Sequence, residues 1–283
     1  MKTLTKVQFN VLIASIIGDG EITKIYPYSR SINNSYREHY GKQQEPYRIW
    51  KKSFLPNLLY LTPKSNTLRS RSCEIFTKLY PYFYDDEGKK KLPFDLIKKC
   101  QLPHFLAILY MDDGTLSLTN RVNHIKKKIY ITPQIYLYLQ NYPQEQLVTL
   151  KSYIGNTFNI NLKIGKRKDR FGSILRTTSV RETFAYLDLI KDITSSCPSM
   201  YYKTNWQHRL SIETARYNEA YPNYTVITSD HNRFKNYDEM EIEKMIALKI
   251  DGCTDQYIAD QIGRSYWSVV YKFRELRKEG LII

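Results

Sequence analysis

Apolar and polar positions along this chain follow two rhythms, and the same succession of rhythms occurs twice. The run Leu12-Ile-Ala-Ser-Ile-Ile-Gly-Asp-Gly20 is apolar on every side until it meets an acid and a glycine, which predicts a helix buried all round. Strand-like pieces follow at 21–26 and 35–40, then a helical stretch over 46–60, a strand over 66–72 and a helix over 74–82. A second run, Leu106-Ala-Ile-Leu-Tyr-Met-Asp-Asp-Gly114, starts the succession again. After it come a strand at 129–132 and a helix over 143–158, with Leu147, Leu150, Ile154 and Phe158 on one face. Two strands, 161–164 and 173–178, flank the turn 165–172 as a hairpin, and a helix over 180–190 closes the unit. The predicted class is α+β: two pseudo-symmetric αββαββα units, residues 1–100 and 101–204.

Beyond residue 204 the pattern changes. Residues 205–236 are polar and interrupted by Pro222, so they read as a linker or an extended arm. Three short helices are predicted within 237–283. Ile242, Met245 and Ile246 mark the inner face of the first, Thr254 caps a second that Gly263 stops, and Ser265 caps a third that runs to Lys278. On the third, Tyr266, Val269, Phe273 and Leu276 share one face, and Trp267, Tyr271, Arg274 and Lys278 share the opposite one.

Composition narrows the partner. The 283 residues carry 43 Lys+Arg against 28 Asp+Glu, a net charge of +15. A hydrophobic content of 42% with 14% aromatics excludes a disordered basic tail. No stretch approaches the ~20 consecutive apolar residues of a membrane span, so no membrane partner is expected. The opening residues show no targeting signal, and an intracellular chain, cytoplasmic or organellar, is expected. Charge of this size favours a polyanion, nucleic acid first. Cys73, Cys100, Cys197 and Cys253 stand far apart, and the five histidines show no metal-ligand spacing, so neither a zinc finger nor a disulfide framework is expected.

The two apolar runs align on Asp-Gly and place Asp19 and Asp113 in register. A carboxylate at a helix C-terminus meets the negative end of the dipole, so two such endings indicate that the acids serve chemistry. The glycine after each suits the left-handed residue that stops a helix. These nonamers, together with Gly18-Asp19-Gly20, Tyr110-Met-Asp-Asp-Gly114 and Thr132-Pro-Gln134, resemble the paired motifs of LAGLIDADG homing endonucleases in their single-chain, two-motif form, over residues 4 to 205. The resemblance implies a saddle of antiparallel sheets, with the motif helices side by side. It implies cleavage of both strands of double-stranded DNA across the minor groove, leaving short 3′ overhangs, by a monomer. Ile108 and Asp112 depart from the small residues that the family prefers for close helix packing, while Ala14 and Gly18 keep them, so an asymmetric helix contact is expected.

Phosphodiester hydrolysis needs an activated water, stabilisation of a pentacoordinate charge and help for the leaving oxygen. Mg2+, or another divalent cation such as Mn2+, supplies all three when carboxylates hold it. The resemblance implies Asp19 and Asp113 as catalytic acids and metal ligands, with the carbonyls of Gly18 and Asp112 as further ligands. The Asp112 carboxylate is expected to face elsewhere. A lysine beside each scissile phosphate is also implied: Lys203, and Lys90 with Lys89 and Lys91 as close competitors. DNA contacts are expected from basic residues on the strand-like stretches, namely Arg30, Arg69, Arg71, Arg121, Lys126, Lys163 and Arg176. Lys166, Arg167, Lys168 and Arg170 crowd one turn and suit phosphate.

The three C-terminal helices resemble a helix-turn-helix unit of the Myb-like or resolvase kind. The third would be the recognition helix, carrying Arg264, Trp267, Ser268, Tyr271 and Arg274 to DNA. The leading expectation is a site-specific endonuclease whose cutting promotes mobility of its own gene. The alternatives are an RNA maturase assisting intron splicing, with RNA as partner, and a catalytically silent DNA-binding regulator. Retention of both acids argues against the regulator. The helix-turn-helix-like tail argues for DNA, because the major groove of A-form RNA is too deep and narrow for a helix. Protein splicing is not expected, since no Cys or Ser start and no terminal His-Asn frames the chain.

Overall fold

The computed structural model describes residues 4–166, 171–228, 237–264 and 266–282, and the Trp267 side chain lies outside that description. Residues 1–229 form one compact unit and 230–283 another.

In the first unit, Thr5 and Gln8 form a reciprocal capping box that starts α1 (Lys6–Ile17), whose residues from Asn10 onward are all buried. Next come β1 (Glu21–Ile22), β2 (Tyr36–His39), α2 (Glu45–Phe54), β3 (Leu59–Thr62), β4 (Thr67–Ser70) and α3 (Glu74–Phe83). A short α4 (Phe94–Ile97) leads to α5 (Pro103–Asp113), buried from Phe105 to Met111. Then follow β5 (Gly114–Asn123), β6 (Lys128–Leu137), α6 (Gln144–Phe158), β7 (Lys163–Lys166), β8 (Ser173–Arg176) and α7 (Val180–Thr194). Both repeats thus have the αββαββα order. The helix expected over 46–60 stops at Phe54, because Leu55 precedes Pro56 and a residue before proline is disfavoured in the helical region. The strand expected at 129–132 is part of the first half of a ten-residue strand whose equally long partner β5 begins directly after Asp113.

The two sheets repeat the same order, β1-β2-β4-β3 and β5-β6-β8-β7, and each of these pairings is antiparallel. Helices α1 and α5, apolar all round, pack on each other within the core. Pro133 sits inside β6, normally a poor place for proline. Its carbonyl accepts from Thr183 Oγ1 on the side away from β5, so its nitrogen also faces that side. Among the described residues no strand is paired there, because β8 pairs only at Tyr136 and Leu137 and β9 only up to Ile131.

The linker or extended arm expected over 205–236 is corrected over 205–228, and 229–236 lie outside the described residues. A short α8 (Tyr201–Thr204) is followed by α9 (Trp206–Ala220) and by β9 (Thr225–Thr228), which pairs parallel with β6 and belongs to the first unit. Trp206, Glu213 and Tyr217 are the buried stripe of α9, at spacings of seven and four, and the polar residues between them form its outer face.

The second unit has the three expected helices, α10 (Glu239–Ile250), α11 (Asp255–Ile262) and α12 (Tyr266–Lys278). Asp238 and Glu241 form a capping box, Thr254 caps α11, and Gly263 ends it in the left-handed conformation at φ 66°. Met245, Ile258, Ala259, Val269, Phe273 and Leu276 make the core, whereas Tyr266, expected in it, is exposed. Among the described residues no helix is long and apolar enough to cross a membrane.

Candidate active site

Each motif helix ends on an acid, and each end carries a lysine. Lys90 Nζ donates to the carbonyls of Ile17 at 3.1 Å, Gly18 at 3.0 Å and Gly20 at 2.9 Å. Lys203 Nζ donates to Met111 O at 2.8 Å and lies 3.5 Å from Asp112 O. A cation therefore sits on the negative end of each dipole and offsets the carboxylate beside it. Lys90 arrives by an antiparallel bridge to Tyr84, and its neighbour Lys89 is exposed. Burial holds both ammonium groups below their ordinary range. Lys90 lies chiefly in the field of Asp113 on the other helix, and Lys203 in that of Asp112 and then Asp19.

The helix contact is asymmetric, as expected. A Cβ on Gly18 would stand 2.7 Å from the Cβ of Asp112, so the missing side chain on α1 is what lets Asp112 turn inward. The glycines after the acids serve space rather than conformation, which corrects the left-handed reading. Gly114 has φ −96°, and a Cβ there would meet the Tyr110 ring at 2.1 Å; at Gly20 it would meet the Tyr36 ring at 2.4 Å.

The Asp112 side chain is fully buried in a charge cluster that sequence reasoning missed. Tyr47 Oη donates to Asp112 Oδ1 at 2.6 Å, and Lys51 Nζ reaches its two oxygens at 2.7 and 2.9 Å. Lys51 also donates to Glu38 Oε1 at 2.8 Å, and Arg48 Nε lies 2.7 Å from the same oxygen. Arg48 Nη2 donates to Asp19 Oδ2 at 2.6 Å. Tyr47, Arg48 and Lys51 lie within one turn of α2, where a sequence reads only a solvated basic face. Oxygens of Asp19, Glu38 and Asp112 fall within 4.8 Å of one another. That trio is not a convincing metal site, because Arg48 and Lys51 already lie among its carboxylates. Burial pushes the Glu38 carboxyl upward against the pull of Lys51 and Arg48, and those carboxylates hold the buried Arg48 guanidinium charged although burial itself opposes it. What Asp112 still presents outward is its main chain, since the residue is half-buried while its side chain is not exposed at all.

Asp113 differs from its counterpart. The Asp19 side chain is 32% exposed and paired with Arg48, whereas the Asp113 carboxyl is pushed up to about 8. Burial is the main cause; Asp112 and Asp19 add to it, and Lys90 and Lys203 oppose it. Between its ordinary 3.8 and about 8 the folded chain therefore holds a proton that the unfolded chain has lost. Without metal, stability should fall as pH rises through that window. Melting in EDTA at pH 5, 6.5 and 8 checks this: Asp113→Asn should flatten the slope, and an identical slope would contradict it.

The sheets place the expected DNA-contacting residues in matching rows. One row crosses the first sheet as Glu21, Arg37, Arg69 and Tyr60, and the equivalent row crosses the second as Thr115, Tyr136, Arg176 and Lys163. Arg69, Arg176 and Lys163 thus share corresponding faces, and Arg121 lies on the same face further along β5. Arg37, also in the row, was missed; its Nε donates to Glu21 at 2.6 Å. Arg30 is exposed between β1 and β2, Arg71 is exposed just past β4, Lys126 is in the β5–β6 turn and Lys166 is exposed at the end of β7. Arg167, Lys168 and Arg170 lie outside the described residues.

In the second unit one expectation is corrected. Arg264 pairs with Glu241 through Nε at 2.9 Å and Nη2 at 2.6 Å and stacks 4.4 Å over the Tyr237 ring, so it fastens α10 to the α11–α12 turn instead of reaching outward. Ser268 accepts from Tyr237 Oη at 2.9 Å. Tyr271 is exposed, with the Arg274 guanidinium 5.4 Å over its ring. Trp267 lies on α12, its side chain outside the description.

The sequence profile of the LAGLIDADG DNA endonuclease family matches residues 9–184. The chain belongs to that family. It is 27% identical over 176 residues to the probable intron-encoded endonuclease 1 of Wickerhamomyces canadensis, covering 59% of this chain and 73% of that protein. It is 26% identical over 207 residues to a protein named RecA from Mycobacterium shimoidei, covering 71% of this chain and 47% of that one. The chain spans about half the length of such RecA relatives, so their name carries nothing to it beyond the shared region. In fold it is similar to the homing endonuclease I-WcaI bound to its DNA recognition sequence, with TM-score 0.56 at 21% identity over 72% of this chain and 88% of that one.

Proposed function

We infer that this LAGLIDADG chain is a site-specific, metal-dependent endonuclease that cuts both strands of a long DNA target and so promotes mobility of its own gene. The observation that carries this reading is the pair of packed helices whose ends place Asp19 and Asp113 within each other's field, each end capped by a half-buried lysine. Two acids beside a local twofold axis can serve one phosphate on each strand. The donor set suits a hard divalent cation such as Mg2+: carboxylates of Asp19 and Asp113, and the carbonyls of Gly18 and Asp112, each with a second lone pair beyond its lysine contact. The Asp113 carboxyl supports the fit: burial first, and Asp112 and Asp19 after it, push it up to about 8, and a bound cation would offset that cost and let it ionise. Bound there, the cation would supply an activated water and charge stabilisation at the phosphate. Lys90 and Lys203 would hold their donors on the helix ends, beside the strand that each acid serves. The net charge of +15 and the basic sheet rows support duplex DNA as substrate. With both motifs in one chain, a monomer completes the site. The test is incubation with a randomised duplex library: cutting in Mg2+ that stops in EDTA supports the reading, and an intact library in both rejects it.

The second unit would add a helix-turn-helix-like DNA contact through α12, around Trp267, Ser268, Tyr271 and Arg274. Tyr271→Ala with Arg274→Ala should weaken binding, shorten the footprint at one end and reduce the salt slope by about one phosphate contact. An unaltered footprint and slope would make this unit a structural appendage.

A further inference from the structure

The two sheets are equivalent near the acids but not further out. In the first half β1 is two residues long, and residues 24–32, which hold the exposed Tyr26, Tyr28 and Ile32, form a loop beyond it. In the second half β5 and β6 run together for ten residue pairs, from Gly114 with Leu137 to Asn123 with Lys128. At ~3.3 Å per residue this ribbon is roughly 33 Å long, enough to follow a major groove for several base pairs. A two-stranded ribbon of that length is marginal on its own. Here it is held from behind. Asn120, on the face opposite Arg121, donates to Tyr217 Oη of α9. At the ribbon tip His124 Nδ1 is 3.0 Å from Tyr224 Oη, and Tyr221 packs on the same ring. Thr225 N donates to Lys127 O at 2.9 Å, and β9 then pairs with residues 128–131 of β6. The edge-to-face contact of Trp206 with Phe184 anchors the start of α9 to α7. Every one of these contacts falls on the back or the edge of the ribbon and none on the opposite face, where Thr119 and Arg121 are exposed and Lys128 lies alongside.

We propose that α9 and β9 are a positioning element for base reading. They hold the outer half of the β5–β6 ribbon in its reading shape, so that on one side of the cut the chain discriminates outer base pairs that it does not discriminate at the mirror positions. The proposal rests on the DNA-endonuclease reading. A ribbon already ordered spends none of its contact energy on ordering, and a wrong base pair is then felt in full.

The test is the cleavage profile of the full chain on every single-base variant of its best target. Wild type should show penalties of about 5- to 150-fold at the outer positions of one arm, the usual cost of a mismatch, and near-flat tolerance at the mirror positions. Tyr217→Phe with Tyr224→Phe keeps both rings and removes the hydroxyls that meet Asn120 and His124; Thr225→Pro independently removes the amide that meets Lys127. Each should shrink the outer penalties of that arm, the largest of them by about tenfold, raise the half-saturating DNA concentration and leave the maximal rate on the best target and all other penalties unchanged. A symmetric wild-type profile, or penalties that stay fixed or shrink evenly across the site, would overturn the proposal. A wild type that cuts no duplex would instead defeat the nuclease reading beneath it.

Discussion

Asp113→Asn should abolish cleavage while target binding survives. The substitution keeps the shape of the side chain and removes an anionic ligand from the centre of the site. If that loss withdraws ~4 kcal/mol of transition-state stabilisation, within the several kcal/mol of a metal-assisted step, the rate falls about 1,000-fold. Binding should not fall with it. Without metal the Asp113 carboxyl, pushed up to about 8, is largely protonated at neutral pH, so Asp113→Asn should bind the target about as tightly as wild type. Asp19→Asn should behave alike in cleavage, but it also releases Arg48, which now donates to Asp19 at 2.6 Å. Single-turnover cleavage and a binding titration on one labelled duplex separate the two effects. Cleavage within a few-fold of wild type would refute the assignment, and lost binding would show that the acids hold the fold and not the chemistry.

Lys51→Met should be the most damaging substitution for stability away from the apolar core. Lys51 is fully buried and bridges Glu38 and Asp112, which come from different repeats and are themselves unexposed. Removing one cation leaves two buried carboxylates to share Arg48, and breaking a buried pair in this way costs about 3–5 kcal/mol. For a domain of this size that corresponds to roughly 10 °C in melting temperature. Adding Asp112→Asn should recover part of the loss, because it removes one of the stranded charges, and the double-mutant cycle should show coupling above ~1 kcal/mol. A shift under ~2 °C for the single substitution would mean that water reaches the cluster and screens it.

The periodic signals in the chain carried the architecture. Runs that are apolar on every side became the central helices, and Asp-Gly endings in register marked Asp19 and Asp113. Lysines whose role is to cap helix ends were legible only through the family resemblance, because Lys90 and Lys203 reach their carbonyls across more than seventy intervening residues. The cluster of Glu38, Arg48, Lys51 and Asp112 was illegible. Glu38, Arg48 and Lys51 each look like ordinary surface charge in their own segments, nothing in the second motif says where the Asp112 carboxylate turns, and burial is imposed only when α2 packs beneath the helix pair. For the same reason α9 was read as a linker. Its buried stripe of Trp206, Glu213 and Tyr217 is sparse, and its partner surface lies on a ribbon some hundred residues earlier. Arg264 shows the converse limit, since position on a helix face marks what could reach DNA but not which acid, here Glu241, already holds it.

The most direct test of the account is to map both strand breaks at the selected target. The protein should be incubated with a randomised duplex library in Mg2+, and the product ends recovered and sequenced strand by strand. Two acids set beside a twofold axis predict one family of sites, cut once on each strand with a short 3′ stagger across the minor groove, and no product in EDTA. Breaks confined to one strand, scattered ends without a common site, or equal cutting in EDTA would contradict a paired Asp19–Asp113 centre.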